Sequence, residues 1–284
     1  MKKKLTNIAL VLVFFLGLSL LLYPSFANYW NSFTSSKAIA AYTEQLSQID
    51  REDYAQYWEE AQQFNRDLQT RENPYELDAD MAARYEKVLD ISGSGVMGYI
   101  EIPAIQVELP VYHGTSDGVL QVAIGHLDWT SLPIGGESSH CVVSGHRGLP
   151  SAKLFTDLDE LVVGDQFLLH VLDKTLTYQI DQILIVEPDK IAELMIQEGK
   201  DLCTLVTCTP YGVNSHRMLV RGHRVANAEE EVTVRVAADA IQIEPLVIAP
   251  VVGIPMLMIL FMAMILMDSK KNKKKFNPDE EVQI

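Results

Sequence analysis

One stretch of the sequence combines a nucleophile, a flexible loop and a guanidinium: residues 202–224, LCTLVTCTPYGVNSHRMLVRGHR. Apolar and β-branched residues alternate as far as Cys208, break at Thr209-Pro210-Tyr211-Gly212, and resume as Arg217-Met218-Leu219-Val220-Arg221. The pattern predicts strand, loop and strand, with a thiol where the first strand ends. A cysteine there suits chemistry, because the strand fixes the sulfur while the loop leaves room for a substrate. The three cysteines, Cys141, Cys203 and Cys208, cannot all pair within one chain, so at least one thiol is free. None of their spacings is that of a CxxC metal site. Cys203 precedes Cys208 by five positions, so the two face opposite sides of the strand, and Cys203 and Cys141 read as buried core thiols.

A thiol is a nucleophile only as thiolate, and a free one is a few per cent ionised at neutral pH, so a partner is needed. Seven histidines are available. His146 is the best placed, because Ser144-Gly145-His146-Arg147-Gly148 puts it where an apolar strand yields to a glycine-flanked loop. His216 and His223 are nearer in sequence, but His216 adjoins Arg217 on a strand, and only one of that pair can share the face of Cys208. His126 and His140 stand near strand ends, where a surface or core role is the better reading of each. Arg217 would offer a permanent charge and several N–H donors to a developing oxyanion; Arg147 and Arg221 are the substitutes if the register differs.

The elements that must position these groups begin at Ser92-Gly93-Ser94-Gly95. Beyond it the pattern predicts eight short strands, over 97–102, 105–112, 119–123, 139–144, 166–171, 175–186, 202–208 and 217–221, with a short helix over 191–197. Gly, Pro and Asp breaks between them point to a single antiparallel or mixed barrel or sandwich. Before it, residues 28–89 are polar and poor in β-branched types, with Ile39, Tyr42, Leu46, Tyr54, Trp58, Ala61 and Phe64 recurring at helical spacing. One or two amphipathic helices leaning on the strand domain are expected. Asn73-Pro74-Tyr75 ends that pattern.

Both ends of the chain are apolar. Residues 8–23, IALVLVFFLGLSLLLY, follow three lysines, and Ser25 and Ala27 are small residues two apart, so 1–27 reads either as a signal peptide or as an amino-terminal anchor. Residues 246–267 are uncharged and precede five lysines, which predicts a transmembrane helix with a basic cytoplasmic tail over 268–284. Lysines on the outer side of both runs place both termini in the cytoplasm and the middle of the chain outside. With eight terminal lysines and four terminal carboxylates set aside, 15 basic and 34 acidic residues remain, close to −19. So acidic a domain repels polyanions, and nucleic acid is excluded as a partner.

Taken together the motifs resemble those of the sortases. Thr204-Leu205-Val206-Thr207-Cys208, Arg217 nine residues later and Ser144-Gly145-His146-Arg147 upstream carry the likeness, with Gly98-Tyr99-Ile100-Glu101-Ile102-Pro103, Pro110-Val111-Tyr112-His113-Gly114 and Gly125-His126-Leu127 in family order before them. The second apolar run with its basic tail, and the form of residues 217–224, are similar to class C, the pilin-polymerising sortases of Gram-positive bacteria. The resemblance implies a mostly β, eight-stranded sortase-like β-barrel over 95–228, a helical and lid-like region over 28–94, a linker over 229–245 and a transmembrane helix at each end.

It also implies the chemistry. Cys208 would attack the Thr-Gly carbonyl of an LPxTG-like sorting signal, His146 would act as general acid or base, and Arg217 would stabilise the oxyanion. The thioacyl enzyme would pass to a lysine of the next pilin subunit, with no cofactor and no metal. Two other readings are a cell-wall-anchoring sortase that uses a peptidoglycan amine, and a non-catalytic membrane-anchored assembly scaffold. One departure stands out: class C lids commonly carry an Asp-Pro-aromatic anchor over the cysteine, and no Asp-Pro precedes this barrel. The nearest candidates are Asn73-Pro74-Tyr75, which lacks the acid, and residues 77–81, which lack the proline and aromatic; a lid of another kind and no lid are both open, and Asn73-Pro74-Tyr75 alternatively reads as a helix stop.

Overall fold

The computed structural model describes residues 2–227. The linker, second apolar run and basic tail expected over 229–284 lie outside the described residues. The chain falls into two units, one containing residues up to Ser25 and the other beginning at Phe26. The first is purely helical over its described residues, and α1 (Lys2–Leu46) carries an apolar stretch long enough to cross a membrane.

The second unit holds the strands. β1 (Val96–Ile102), β2 (Val107–His113), β3 (Ile124–His126), β4 (Ser139–Ser144), β5 (Gln166–Val171), β6 (Lys174–Val186), β7 (Asp201–Thr209) and β8 (His216–Arg224) close into a barrel in the order β1-β2-β3-β4-β7-β8-β6-β5. Closure leaves no unpaired edge. Alternation decides which side chains go in: Ile100 and Ile102, Phe167 and Leu169, Cys203 and Leu205, and Met218 and Val220 fill the interior, each from every second position of its strand. A fully buried Phe or Leu of this kind contributes about 1.5–3 kcal/mol.

The strands expected over 139–144 and 166–171 coincide with β4 and β5. That expected over 119–123 does not form. Ser116 instead precedes a single helical turn, α4 (Asp117–Leu120), and the strand is displaced to Ile124–His126. A three-residue strand lacks the length for alternation to register, and Ile124 pairs with Val111 of β2 through a parallel contact that the sequence does not display. The helix expected over 191–197 is a 3-10 turn, Ile191–Leu194.

Two further helices pack on the outside of the barrel. α2 (Arg51–Gln69) turns Trp58, Ala61, Phe64 and Leu68 inward at helical spacing, onto Met97, Leu132 and Val171 and onto Met81 and Tyr85 of α3 (Ala79–Tyr85). The Asp78 carboxylate caps α3 by accepting from the Met81 amide at 2.8 Å. Polar ties fix the layer: Trp58 Nε1 donates to Asp173 Oδ1 at 2.7 Å, and the Leu132 amide donates to Asn65 Oδ1 at 2.8 Å. The Tyr42 hydroxyl of α1 donates to the Met97 carbonyl at 3.2 Å and accepts from the Leu172 amide at 2.9 Å. Burial drives the Tyr42 phenol far above its ordinary pKa, so it remains a donor at every physiological pH.

Candidate functional site

Register assembles the site. β4 and β7 run parallel at a constant offset, from Ser139 opposite Asp201 to Ser144 opposite Val206. The ladder continues as the Gly145 amide donates to the Val206 carbonyl at 3.0 Å and Thr207 Oγ1 donates to the Gly145 carbonyl at 2.8 Å. The same offset sets His146 level with Cys208. On the other side β8 is antiparallel to β7, and Arg217 is the direct partner of Cys208. Cys208 and Arg217 are thus direct partners on neighbouring strands, and His146, two residues past the end of β4, continues the β4–β7 register, so the three line up as a row.

Parity puts that row on the outer face. Cys203 and Leu205 point into the barrel, whereas Val206 and Leu219 belong to a separate outer apolar cluster with Val142 and Leu194. Cys208 is half-buried and free, and Cys141 and Cys203 are free and buried within the core. Burial pushes the Cys203 thiol well above its ordinary pKa, which holds it in the unreactive protonated form. Of the two residues the alternation left open, Arg217 shares the side of Cys208; His216 pairs with Thr209, and its Nδ1 lies 2.9 Å from Ser215 Oγ.

Arg217 is held by the backbone. Its Nη1 donates to the carbonyls of Asn214 at 3.2 Å and His216 at 3.1 Å, and among the described residues no carboxylate pairs with it. The two substitutes are committed elsewhere. Arg221 grips Asp181 with two hydrogen bonds, of 2.9 and 3.2 Å, and Arg147 pairs with Asp159 while its guanidinium lies 6.0 Å from the centre of the Tyr211 ring.

The loop that carries His146 is built by close packing. The Phe155 amide donates to the His146 carbonyl at 3.1 Å, folding the loop back on itself. A Cβ at Gly145 would stand 2.8 Å from both Ile124 and Phe155, so the residue before His146 must be glycine for the strand to end there. Gly148 has a positive φ of 76°, and a Cβ on it would meet the Tyr211 ring at 2.9 Å. Tyr211 follows Cys208, so the loops bearing the histidine and the thiol touch each other.

The other histidines are structural. His126 is fully buried, with Nδ1 3.0 Å from the Tyr85 hydroxyl and Nε2 2.8 Å from the Ser131 carbonyl. His140 Nδ1 lies 2.9 Å from the Met195 carbonyl and its Nε2 2.7 Å from Thr204 Oγ1, an arrangement that suits the neutral ring. Burial lowers its pKa below the ordinary value accordingly. His223 sits 3.8 Å from Asp181, away from the row.

Beside the row a groove of about 240 Å³ opens, with Arg217, Ser144, Thr115, Glu187 and Lys190 at its polar part and Leu120, Leu127, Trp129 and Leu219 among its apolar walls. An extended peptide carrying one or two apolar side chains fits such a lining. The wall at Trp129 is backed by residues 70–77. Arg71 donates to the carbonyls of Leu68, Pro74 and Glu76, each at 3.1 Å, and to that of Trp129 at 2.8 Å. Tyr75 meets Trp129 edge-on, with ring centres 5.9 Å apart, and is 46% exposed. Asn73-Pro74-Tyr75 is thus a strap pinned by Arg71, whose aromatic ring leans on a groove wall. Sequence reading missed both Arg71 and Trp129; a lone arginine after a helix and a lone tryptophan in a loop carry no periodic signal.

Comparison with known proteins identifies the family. The Sortase domain family model matches residues 100–225. The crystal structure of sortase C1 from Streptococcus agalactiae is 50% identical, with a TM-score of 0.66, covering 68% of this chain and all of that one. Sortase C of Streptococcus pneumoniae is 44% identical with a TM-score of 0.60, covering 67% of this chain and 97% of that one. Sortase D of Bacillus subtilis (strain 168) is 34% identical over 131 residues, 45% of this chain and 63% of that relative's length. With an eight-stranded closed barrel and relatives of this similarity, the chain belongs to the sortases, a family of cysteine transpeptidases, and within them to class C.

Proposed function

We propose that this protein cleaves an LPxTG-like sorting signal and joins it to a lysine of the next pilin subunit, building a pilus shaft. The observation that carries the reading is the row His146, Cys208 and Arg217, set beside an apolar groove. The signal lies extended in the groove, and the Cys208 sulfur, having passed its proton to His146, adds as thiolate to the carbonyl of its threonine. Arg217, held rigid by two backbone carbonyls, receives the oxyanion. The tetrahedral species collapses by breaking the Thr-Gly C–N bond, and His146 delivers the proton to the departing amine. A lysine amine then attacks the thioester, gives its proton to His146 and releases the thiolate. Atoms and charge balance without a cofactor.

Support for pilin as substrate comes from the relatives: the Streptococcus pneumoniae enzyme is described in terms of pilin substrate specificity. The apolar part of α1 supports a membrane anchor, with the barrel on the outer side of the membrane where such substrates are presented. The experiment is to mix the barrel-containing protein with a candidate pilin and a peptidoglycan-like amine and to identify products by mass spectrometry. A lysine isopeptide between two pilins is expected. Transfer to the peptidoglycan-like amine alone would assign the enzyme to cell-wall anchoring, and no Cys208-dependent product at all would leave it a scaffold.

A further inference from the structure

α1 touches the barrel at two places, and the two lie at opposite ends of it. Just beyond its midpoint, Asn28 Oδ1 accepts from the Lys153 amide at 2.8 Å. Lys153 is in the loop that starts at His146, two residues from Phe155, whose amide bonds the His146 carbonyl. Fourteen residues further on, Tyr42 bonds Met97 and Leu172, the latter in the β5–β6 turn. β6 runs from that turn to Val186, the partner of Arg217, so the turn is at the end of the barrel remote from the row. The helix rises about 21 Å between its two contacts. The end of α1 that joins the apolar span is therefore the end at the row.

The two sides of this part of α1 differ in kind. Asn28 and Tyr42, which bond the barrel, share one side of the helix with Ser35 and Ile39, and Ser35, Ile39 and Tyr42 are buried. Phe26, Tyr29, Trp30 and Phe33 are 67%, 61%, 61% and 57% exposed. At 3.6 residues per turn these four fall within an arc of about 100°, centred roughly opposite the barrel stripe. Among the described residues their one aromatic ring contact is between themselves, Trp30 with Phe33 at 6.3 Å between centres. The sequence carries no charge from Leu5 to Ser36, and the first charge, Lys37, closes the stripe on its outward side. From Phe26 to Phe33 the rise is about 10 Å, comparable with the polar layer on one side of a bilayer, about 5–8 Å. Aromatic rings with a polar handle, continuous with an apolar run and bounded by a lysine, have the composition that settles at a membrane surface.

We propose that Phe26, Tyr29, Trp30 and Phe33 seat in the headgroup layer of a lipid bilayer, and that the barrel end bearing His146, Cys208 and Arg217 is the end turned toward that bilayer. The substrate mouth then opens at the membrane surface, where a polypeptide still held by its own membrane segment could reach it only through a short tether. The inference rests on the apolar run staying in the bilayer, and not on the reaction.

Full-length protein in vesicles of phosphatidylcholine and phosphatidylglycerol, doped with a headgroup-photoactivatable phospholipid, tests it, with adducts mapped by mass spectrometry. Adducts on residues 26–33 and on the loops over 149–154 and 210–215 are expected to exceed those on the 171–174 turn by at least roughly fivefold. Replacing Tyr29, Trp30 and Phe33 together by serine should lower loop labelling severalfold, while the alkylation rate of Cys208 in detergent stays as it was. Labelling confined to residues 8–23, labelling of the 171–174 turn equal to that of the loops, or a stripe shielded in a cross-linked dimer would each overturn the proposal. Loop labelling unchanged in the serine variant would overturn the role of the stripe.

Discussion

Cys203 and Cys208 lie on one strand, and His140 and His146 on the strand beside it or its continuation, yet one member of each pair is sealed and the other open. Cys203 faces the interior, opposite Cys141, with its thiol held protonated by burial. His140 is closed under the Met195 carbonyl and Thr204, and is fully satisfied as a neutral ring. Cys208 and His146 sit where the same two strands run out, half-buried, beside a groove. Residue type alone does not make a site. Position relative to the strand end makes the difference between a core thiol and a nucleophile candidate, and between a structural imidazole and a candidate proton carrier.

The largest effect expected from breaking this contrast is on Cys208. Its replacement by alanine should abolish the thioacyl adduct and lower peptide cleavage by at least about a thousandfold, as removal of a nucleophile does, whereas Cys203→Ser should leave the rate within a few-fold of the parent. Equal losses in a peptide-cleavage assay would show that the two thiols do not differ in kind. Arg217→Ala comes next, at about a hundredfold to a thousandfold in kcat, with Arg217→Lys recovering only part because a lysine lacks the guanidinium fork. Full recovery by lysine would reduce Arg217 to a simple point charge.

Gly145→Ala sharpens the comparison from the histidine side. The new methyl group meets Ile124 and Phe155 at 2.8 Å, so His146 must move relative to Cys208. A loss of about tenfold or more in transfer is expected with iodoacetamide labelling of Cys208 little changed; parallel loss of both would mean the barrel itself had suffered. Cys203→Ser should cost about 1–3 kcal/mol in urea unfolding, because the core offers its hydroxyl few partners.

The smallest effect concerns His140. The folded chain keeps it neutral, and the unfolded chain takes up a proton as pH falls through about 6.5, so the unfolded state binds more protons and stability drops on acidification. The slope contributed by this group is at most about 1.4 kcal/mol per pH unit. Comparing urea midpoints at about pH 7.5 and about pH 5.5 should show His140→Gln flattening the difference; an unchanged slope would assign the acid sensitivity to another group.

Much of this was legible beforehand, and for local reasons. The limits of β4 and β5 follow from alternation bounded by Gly, Pro and Asp, and α2 from the spacing of Trp58, Ala61, Phe64 and Leu68. Cys208 and Arg217 are joined by a short loop, so their cross-strand pairing is a local event too. His146 is different. Its alignment with Cys208 depends on a parallel pairing between strands more than fifty residues apart, and neither strand's own pattern encodes the offset. The groove wall depends on still weaker signals. Trp129 comes from an irregular segment, and Arg71 acts through four carbonyls that no sequence pattern announces. Val119 to Ala123 misled because apolar content alone does not separate one helical turn from a strand.

Closure of the barrel has a bearing on how such an enzyme could diverge. The alignment of Arg217 with Cys208 belongs to the β7–β8 ladder, and His146 follows directly on the β4–β7 ladder that ends at Ser144 and Val206. The strap and the walls at Leu120, Leu127 and Trp129 belong to connections outside those ladders. Mutational drift in the walls can therefore re-tailor which peptide is accepted while the alignment of thiol, imidazole and guanidinium stays where the ladders put it.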